Sequence, residues 1–286
     1  MRIRRTRFPI PKIKFRNEGV EMRCTRLMFI ILGLFLSQSA HAYASCPKDA
    51  DQTRWIDGGN LCLAMRLAGR VDSGKAKKLV VLIHGDVSTG GPADYMYKRA
   101  VALGNDETIA VALIRPGYED SRGNISQGSH NNRRDHYTAA NIEAIADAIR
   151  RLKERYGVTR TIIMGHSGGA AISGVMLGRH SGIADGAVLV SCPCNIPEWR
   201  QQWGKNLWQN SLSPHAFVDW IPSASTIVAI TGNKDDNTSP DLGISYVNIL
   251  RKRGIAASFL NVEGGGHGFG KLWPATQDAV ERLLVD

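Results

Sequence analysis

Short apolar runs alternate along the chain with longer stretches in which apolar residues recur every three or four positions. Leu79-Val80-Val81-Leu82-Ile83 is an unbroken apolar run ending at His84-Gly85, and Ile109 to Ile114 is a second, ending at Arg115-Pro116-Gly117. Runs of this length without alternation suit strands buried on both faces. Over 138–155, Ile142, Ile145, Ala146, Ile149 and Leu152 share one helical face, and Gly157 supplies a stop. Thr161 to Met164 reads as a short strand, followed by a glycine-rich turn and a small-residue helix to about Gly178. Ala187 to Val190, Thr226 to Ile230 and Ala256 to Val262 read as further strands, with helices over 241–253 and 275–284. This alternation predicts a mostly parallel sheet covered by helices, the α/β class.

The rhythm breaks over 195–222, which holds Trp199, Trp203, Trp208 and Trp220, four of the six tryptophans. The stretch is placed where a small lid can be inserted into the domain. Its rings either present aromatic surface to a substrate or simply cover the sheet, and the sequence weighs the two equally.

The formal charge of +10 changes the picture less than it promises. Residues 1–44 carry +7 of it, so the remainder is close to neutral at +3, and no phosphate-binding field is expected. The basic stretch reads as an export leader: Arg23 and Arg26 precede the apolar run Leu27 to Leu36, and Ala40-His41-Ala42 and Ala42-Tyr43-Ala44 fit the small-x-small cleavage rule. Met22 is a candidate start, and the domain proper begins at 45. The apolar run is too short to cross a bilayer comfortably, so no stable membrane insertion is expected after cleavage, and the destination is periplasmic or secreted. Cys46, Cys62, Cys192 and Cys194 remain beyond the leader, an even number that suits disulfides in an oxidising compartment. Cys-Pro-Cys lacks the usual zinc-ligand gap, and no P-loop, dinucleotide fingerprint or paired-histidine motif is present. No metal, cofactor or nucleic acid is therefore expected.

Gly165-His166-Ser167-Gly168-Gly169 carries the chemistry. It is Gly-x-Ser-x-Gly set between a strand and a helix, the context in which such a serine is lifted above a sheet at a helix N-terminus. A serine needs a base, and Gly264-Gly265-Gly266-His267-Gly268 presents an imidazole just after the last strand. Ile230-Thr231-Gly232-Asn233-Lys234-Asp235-Asp236 places carboxylates just beyond another strand end, so the order Ser, Asp, His is met. The expected catalytic residues are Ser167, His267 and Asp235, with Asp236 as the alternative acid. Backbone N–H groups of Gly168 and Asp86 are the expected oxyanion donors, with the Asp86 carboxylate turned away. His166 is expected to pack or bond locally and His84 to be structural. Glu119 and Asp135, and the set Arg115, Tyr118 and Arg122, are weaker substrate-reading candidates for which surface roles are expected.

These motifs resemble the α/β-hydrolase superfamily over residues 55–286. Ser211-Leu212-Ser213-Pro214, the Thr231-Gly232 to Pro240 segment, Arg253-Gly254 and Gly266-His267-Gly268-Phe269 are similar to the catalytic domains of prolyl-oligopeptidase-like and dienelactone-hydrolase-like proteins. The resemblance implies an eight-stranded sheet with helices on both faces, and Asp235 as the triad acid. Pro240 lies one residue further from Asp235 than is common in that family, which keeps Asp236 open. The strand placement that the resemblance implies separates the cysteines into Cys46–Cys62 and Cys192–Cys194. The chain has no room for a gating propeller, so an open site for small esters or short peptides is implied. The expected function is an exported serine hydrolase that cleaves a carboxylic ester through an acyl-enzyme. A small peptidase or amidase with the same residues is the alternative, and a non-catalytic binder a more distant one.

Overall fold

A computed structural model describes residues 45–71 and 76–285, which belong to one compact unit. The expected leader, residues 1–44, lies outside the described residues. Eight strands form one sheet: β1 (Trp55–Gly58), β2 (Leu61–Ala68), β3 (Lys78–Ile83), β4 (Thr108–Leu113), β5 (Arg160–His166), β6 (Gly186–Val190), β7 (Thr226–Gly232) and β8 (Ala256–Val262). Their spatial order is β1-β2-β4-β3-β5-β6-β7-β8. β2 runs antiparallel to both β1 and β4, and all other pairings are parallel.

Period-two alternation along the central strands divides the core between the two faces. Leu79, Val81 and Ile83 of β3 point into the larger core beneath α2 (Ala139–Tyr156), α3 (Gly168–Arg179) and α5 (Pro240–Lys252). Val80 and Leu82 point into the opposite core, shared with α1 (Tyr97–Leu103) and α6 (Phe269–Val285). Each helix has a local reason for its limits. Thr138 caps α2 by accepting from Asn141 N–H, and Gly157 ends it in the left-handed region at φ 56°. α3 has no polar face, because the sheet lies on one side and the 3-10 turn Pro214–Trp220 on the other. Gly174 faces Pro214 and Gly178 faces the Phe217 carbonyl, each closer than a Cβ allows.

The sequence-based elements differ from the structure at three places. The hairpin β1–β2 and the short helix α1 were not resolved by periodicity. The last helix starts at Phe269 rather than 275, because burial of Phe269, Leu272 and Trp273 holds together a first turn and a half that Pro274 alone would end. The segment 195–222 lies between β6 and β7 and contains α4 (Ile196–Gln202) and the 3-10 turn. Trp199 is buried, whereas Trp203 and Trp220 are exposed. Disulfides join Cys46 to Cys62 and Cys192 to Cys194. Closing the first of these loops, 16 residues in separation, stabilises the fold by about 3 kcal/mol in the chain-entropy picture.

Backbone meets backbone where β5 turns into α3. A Cβ on Gly169 would stand 2.2 Å from the Ile83 carbonyl oxygen and 2.5 Å from that of His84. Gly169→Ala is therefore expected to lower unfolding stability by about 1–3 kcal/mol in urea titrations. Gly270→Ala, which meets nothing within 4 Å, stays within about 0.5 kcal/mol of the parent.

Candidate active site

The β5–α3 turn places Ser167 at φ 53° and ψ −121°, a conformation that side-chain-bearing residues avoid. It persists because its surroundings specify it. Ser167 N–H donates to the Val190 carbonyl of β6, and the Ser167 carbonyl accepts from Ala170 and Ala171 at the start of α3. Gly165 permits α3 to pass against β5, since a Cβ there would stand 2.4 Å from the Gly169 oxygen. The strand ends of β7 and β8 meet in the same way, with Gly232 against the backbone of Gly265. That contact lets the Asp235 and His267 loops share one corner.

Ser167, His267 and Asp235 form one hydrogen-bonded row. His267 Nε2 lies 3.0 Å from Ser167 Oγ, and its Nδ1 lies 3.0 and 3.1 Å from the two Asp235 carboxylate oxygens. An ionised carboxylate only accepts, so Nδ1 carries the proton and Nε2 is left to accept from the serine. Burial works to raise the Asp235 pKa, but the His267 contact and the Thr238 N–H pull it down to about 2. Thr238 Oγ1 also donates to Asp235 at 2.9 Å, and Asn237 N–H donates at 3.0 Å. Asp236 is exposed and makes no contact with His267.

Two other histidines take distinct places. His84 is fully buried, accepts from Arg115 N–H and has its pKa pushed down to about 3 by burial. His166 is likewise held neutral by burial, at about 3, but its bonds are not local as expected. Its Nε2–H donates to the His267 carbonyl at 3.0 Å, and its Nδ1 accepts from Tyr95 Oη at 2.7 Å. The same tyrosine oxygen accepts from Gly85 N–H at 2.6 Å. One neutral imidazole thus ties the loop of the base to the loop after β3. Sequence adjacency to Ser167 was the signal, but it gave no hint of the partners.

The Asp86 carboxylate does not turn away from the nucleophile's surroundings. Oδ1 pairs with Arg115 at 2.9 Å, and Oδ2 accepts from Tyr137 Oη. A Cβ added to Gly168 would stand 2.4 Å from both Asp86 Oδ1 and Tyr137 Oη, so the carboxylate lies against that glycine. What tames its charge is Arg115 at full burial, not distance. This also corrects the surface roles expected for Arg115 and Tyr118, both of which are fully buried. Asp135 accepts from the backbone of Gln209, Asn210 and Ser211 and so anchors the tryptophan-rich segment. Among the described residues, the N–H groups of Gly168 and Asp86 donate to no other protein group.

Two clefts meet at Ser167 and His267, one of about 670 Å³ and one of about 400 Å³. Trp199 and Trp208 wall the larger, so part of the 195–222 segment covers the sheet and faces the cleft at once. Trp199 and Trp203 both donate from their indole nitrogens to the Asn237 carbonyl, at 2.8 and 3.0 Å. The Asn237 side-chain amide reaches His267 Nε2 at 3.1 Å. The segment is therefore fastened to the loop that carries the acid.

A family model described as alpha/beta hydrolase family matches residues 80–241, more than half of the chain. Among solved structures, the chain is similar to Est1E from Butyrivibrio proteoclasticus with ferulic acid bound, at 15% identity and a TM-score of 0.62. That match covers 81% of this chain and 99% of the other. Esterase PE8 is similar at 21% identity and a TM-score of 0.54, covering 78% of this chain and 99% of that one. An acylaminoacyl peptidase from Pyrococcus horikoshii is similar at 13% identity and a TM-score of 0.61, over 80% of this chain and 41% of the peptidase. The chain thus spans about two fifths of that peptidase's length. No curated protein sequence matches. At these identities the structural likeness is one of fold, while the family match extends from β3 through the Ser167 turn into α5. The chain belongs to the alpha/beta hydrolase family.

Proposed function

We propose that the protein is an exported serine hydrolase that cleaves a carboxylic ester through an acyl-enzyme. The observation that carries this reading is the row from Ser167 Oγ through His267 to Asp235, with both hydrogen bonds near 3.0 Å. His267 Nε2 takes the Ser167 proton as Oγ attacks the ester carbonyl, while Asp235 holds the Nδ1 proton and stabilises the imidazolium. The tetrahedral oxyanion is received by the Gly168 and Asp86 N–H groups, whose hydrogen-bonding capacity is unspent. His267 then protonates the departing alcohol, and water repeats the sequence on the acyl-enzyme.

An ester is favoured over a peptide held by its N-terminus because gripping an ammonium needs free carboxylates. Among the described residues, Asp86 is the one carboxylate lining either cleft, and Arg115 holds it. The fold shared with an esterase and an acylaminoacyl peptidase is compatible with both chemistries. The segment 195–222 acts as a lid, supported by its two tryptophans in the cleft wall. Export is supported by two disulfides among the described residues, a feature of oxidising compartments. No helix among those residues is long and apolar enough to cross a membrane.

Hydrolysis of para-nitrophenyl butyrate tests the reading. Asp235→Asn is expected to lower kcat by about 10⁴-fold, and Asp236→Asn to stay within a few-fold of the parent. His166→Phe, which retains a ring but loses both bonds, lowers kcat by about 10²-fold through misplacement of His267 and lowers stability in urea by about 1–3 kcal/mol, while the folded variant keeps the parent's circular dichroism. The depressed Asp235 pKa stabilises the fold above its ordinary value of 3.8, and this contribution is lost as pH falls through about 2. The stability gap between the parent and Asp235→Asn, followed by circular dichroism, should accordingly be full at pH values above 3.8 and vanish below about 2.

A further inference from the structure

The walls around Ser167 are charged in one sense. Arg133, Arg134, Arg200 and Lys205 line the larger cleft, and Lys98 and Arg99 line the smaller. Among the described residues none of the six lies within ion-pair distance of a carboxylate, although surface pairs such as Arg179–Glu143 and Arg253–Asp219 form elsewhere. Asp86, the one acid among the described residues lining these clefts, is cancelled by the buried Arg115. Residues beyond 44 carry a net charge of only +3, so six uncompensated cations at one mouth leave the rest of the domain net negative. Such a distribution focuses positive potential at the nucleophile rather than over the surface at large.

Three of these cations are held in place rather than waving in solvent. The Arg200 guanidinium lies 5.5 Å from the ring of Trp199 and 5.0 Å from that of Trp208, and its Nε donates to the Asn206 carbonyl at 3.0 Å. Its two terminal nitrogens have no protein partner among the described residues. Arg133 is fixed by the carbonyls of Val87 and Gly91. Arg99 stacks over Trp273 at 4.8 Å, and its Nε is buried without a hydrogen-bond partner. A buried donor left open is costly unless something fills it, and an oriented guanidinium fork matches a carboxylate or phosphate.

We infer that the substrate is an anionic ester, carrying a negative group close to the scissile bond that Arg200, Arg134 and Lys205 receive in the larger cleft. This rests on the hydrolase reading of Ser167 and narrows its substrate class. The test compares two pairs of esters, corrected for spontaneous hydrolysis. Para-nitrophenyl hemiglutarate against para-nitrophenyl valerate places the charge on the acyl side. The valerate ester of para-hydroxybenzoate against that of para-hydroxybenzamide places it on the alcohol side. At least one anionic ester is expected to exceed its neutral partner by about tenfold in kcat/KM. The ratio should shrink as sodium chloride rises from about 0.05 to 1 M, where the Debye length falls to about 3 Å. Arg200→Gln lowers the same ratio, and so does the double variant Arg134→Gln/Lys205→Gln, whose side chains are exposed. If neutral esters are hydrolysed as fast as both anionic partners, or if salt and variants leave the ratio unmoved, this inference falls and the hydrolase reading stands. If no ester is hydrolysed, both fall.

Discussion

The backbone of Ser167, held at φ 53° between β5 and α3, is the constraint on which the rest of the site depends. Such a conformation costs on the order of 1–3 kcal/mol and survives only where the surroundings over-determine it. The neighbouring glycines let β3, β5 and α3 approach to backbone contact, and the Val190 carbonyl holds the serine N–H. The return is position. Oγ stands at the rim of the sheet, beside the N-terminus of a helix, where the ends of β7 and β8 bring an acid and an imidazole.

A second tier of contacts makes that corner rigid. His166 and Tyr95 connect the His267 carbonyl to Gly85, and Asn237 connects the indoles of Trp199 and Trp203 to His267. The charge beneath Gly168 follows the same logic. Asp86 remains an ionised carboxylate because Arg115, Tyr137 and His136 surround it, although burial alone opposes this. The pair is locally neutral, so the positive character of the clefts comes from the outer residues.

Much of this was legible in the sequence, for identifiable reasons. Central strands such as Leu79 to Ile83 are buried on both faces and read as continuous apolar runs. Strand-end logic pointed to Ser167, Asp235 and His267, because glycines flank each place where a side chain must leave a crowded sheet edge. The β1–β2 hairpin was missed, although Gly59-Asn60 between Gly58 and Leu61 is a recognised two-residue turn signal. Its flanks are too mixed for periodicity to register. α1 is seven residues long and lacks a capping side chain, so only Met96, Ala100 and Leu103 mark it. The bonds of His166 and the burial of Arg115 were out of reach, since their partners lie 21 to 101 residues away.

The account turns on whether Ser167 is activated by His267, and covalent labelling of the folded protein with a fluorophosphonate probe tests this directly. Intact mass and peptide mapping should give a single adduct on Ser167 in the parent and none in His267→Ala. A folded parent that takes no adduct, or takes it on another residue, would contradict the account.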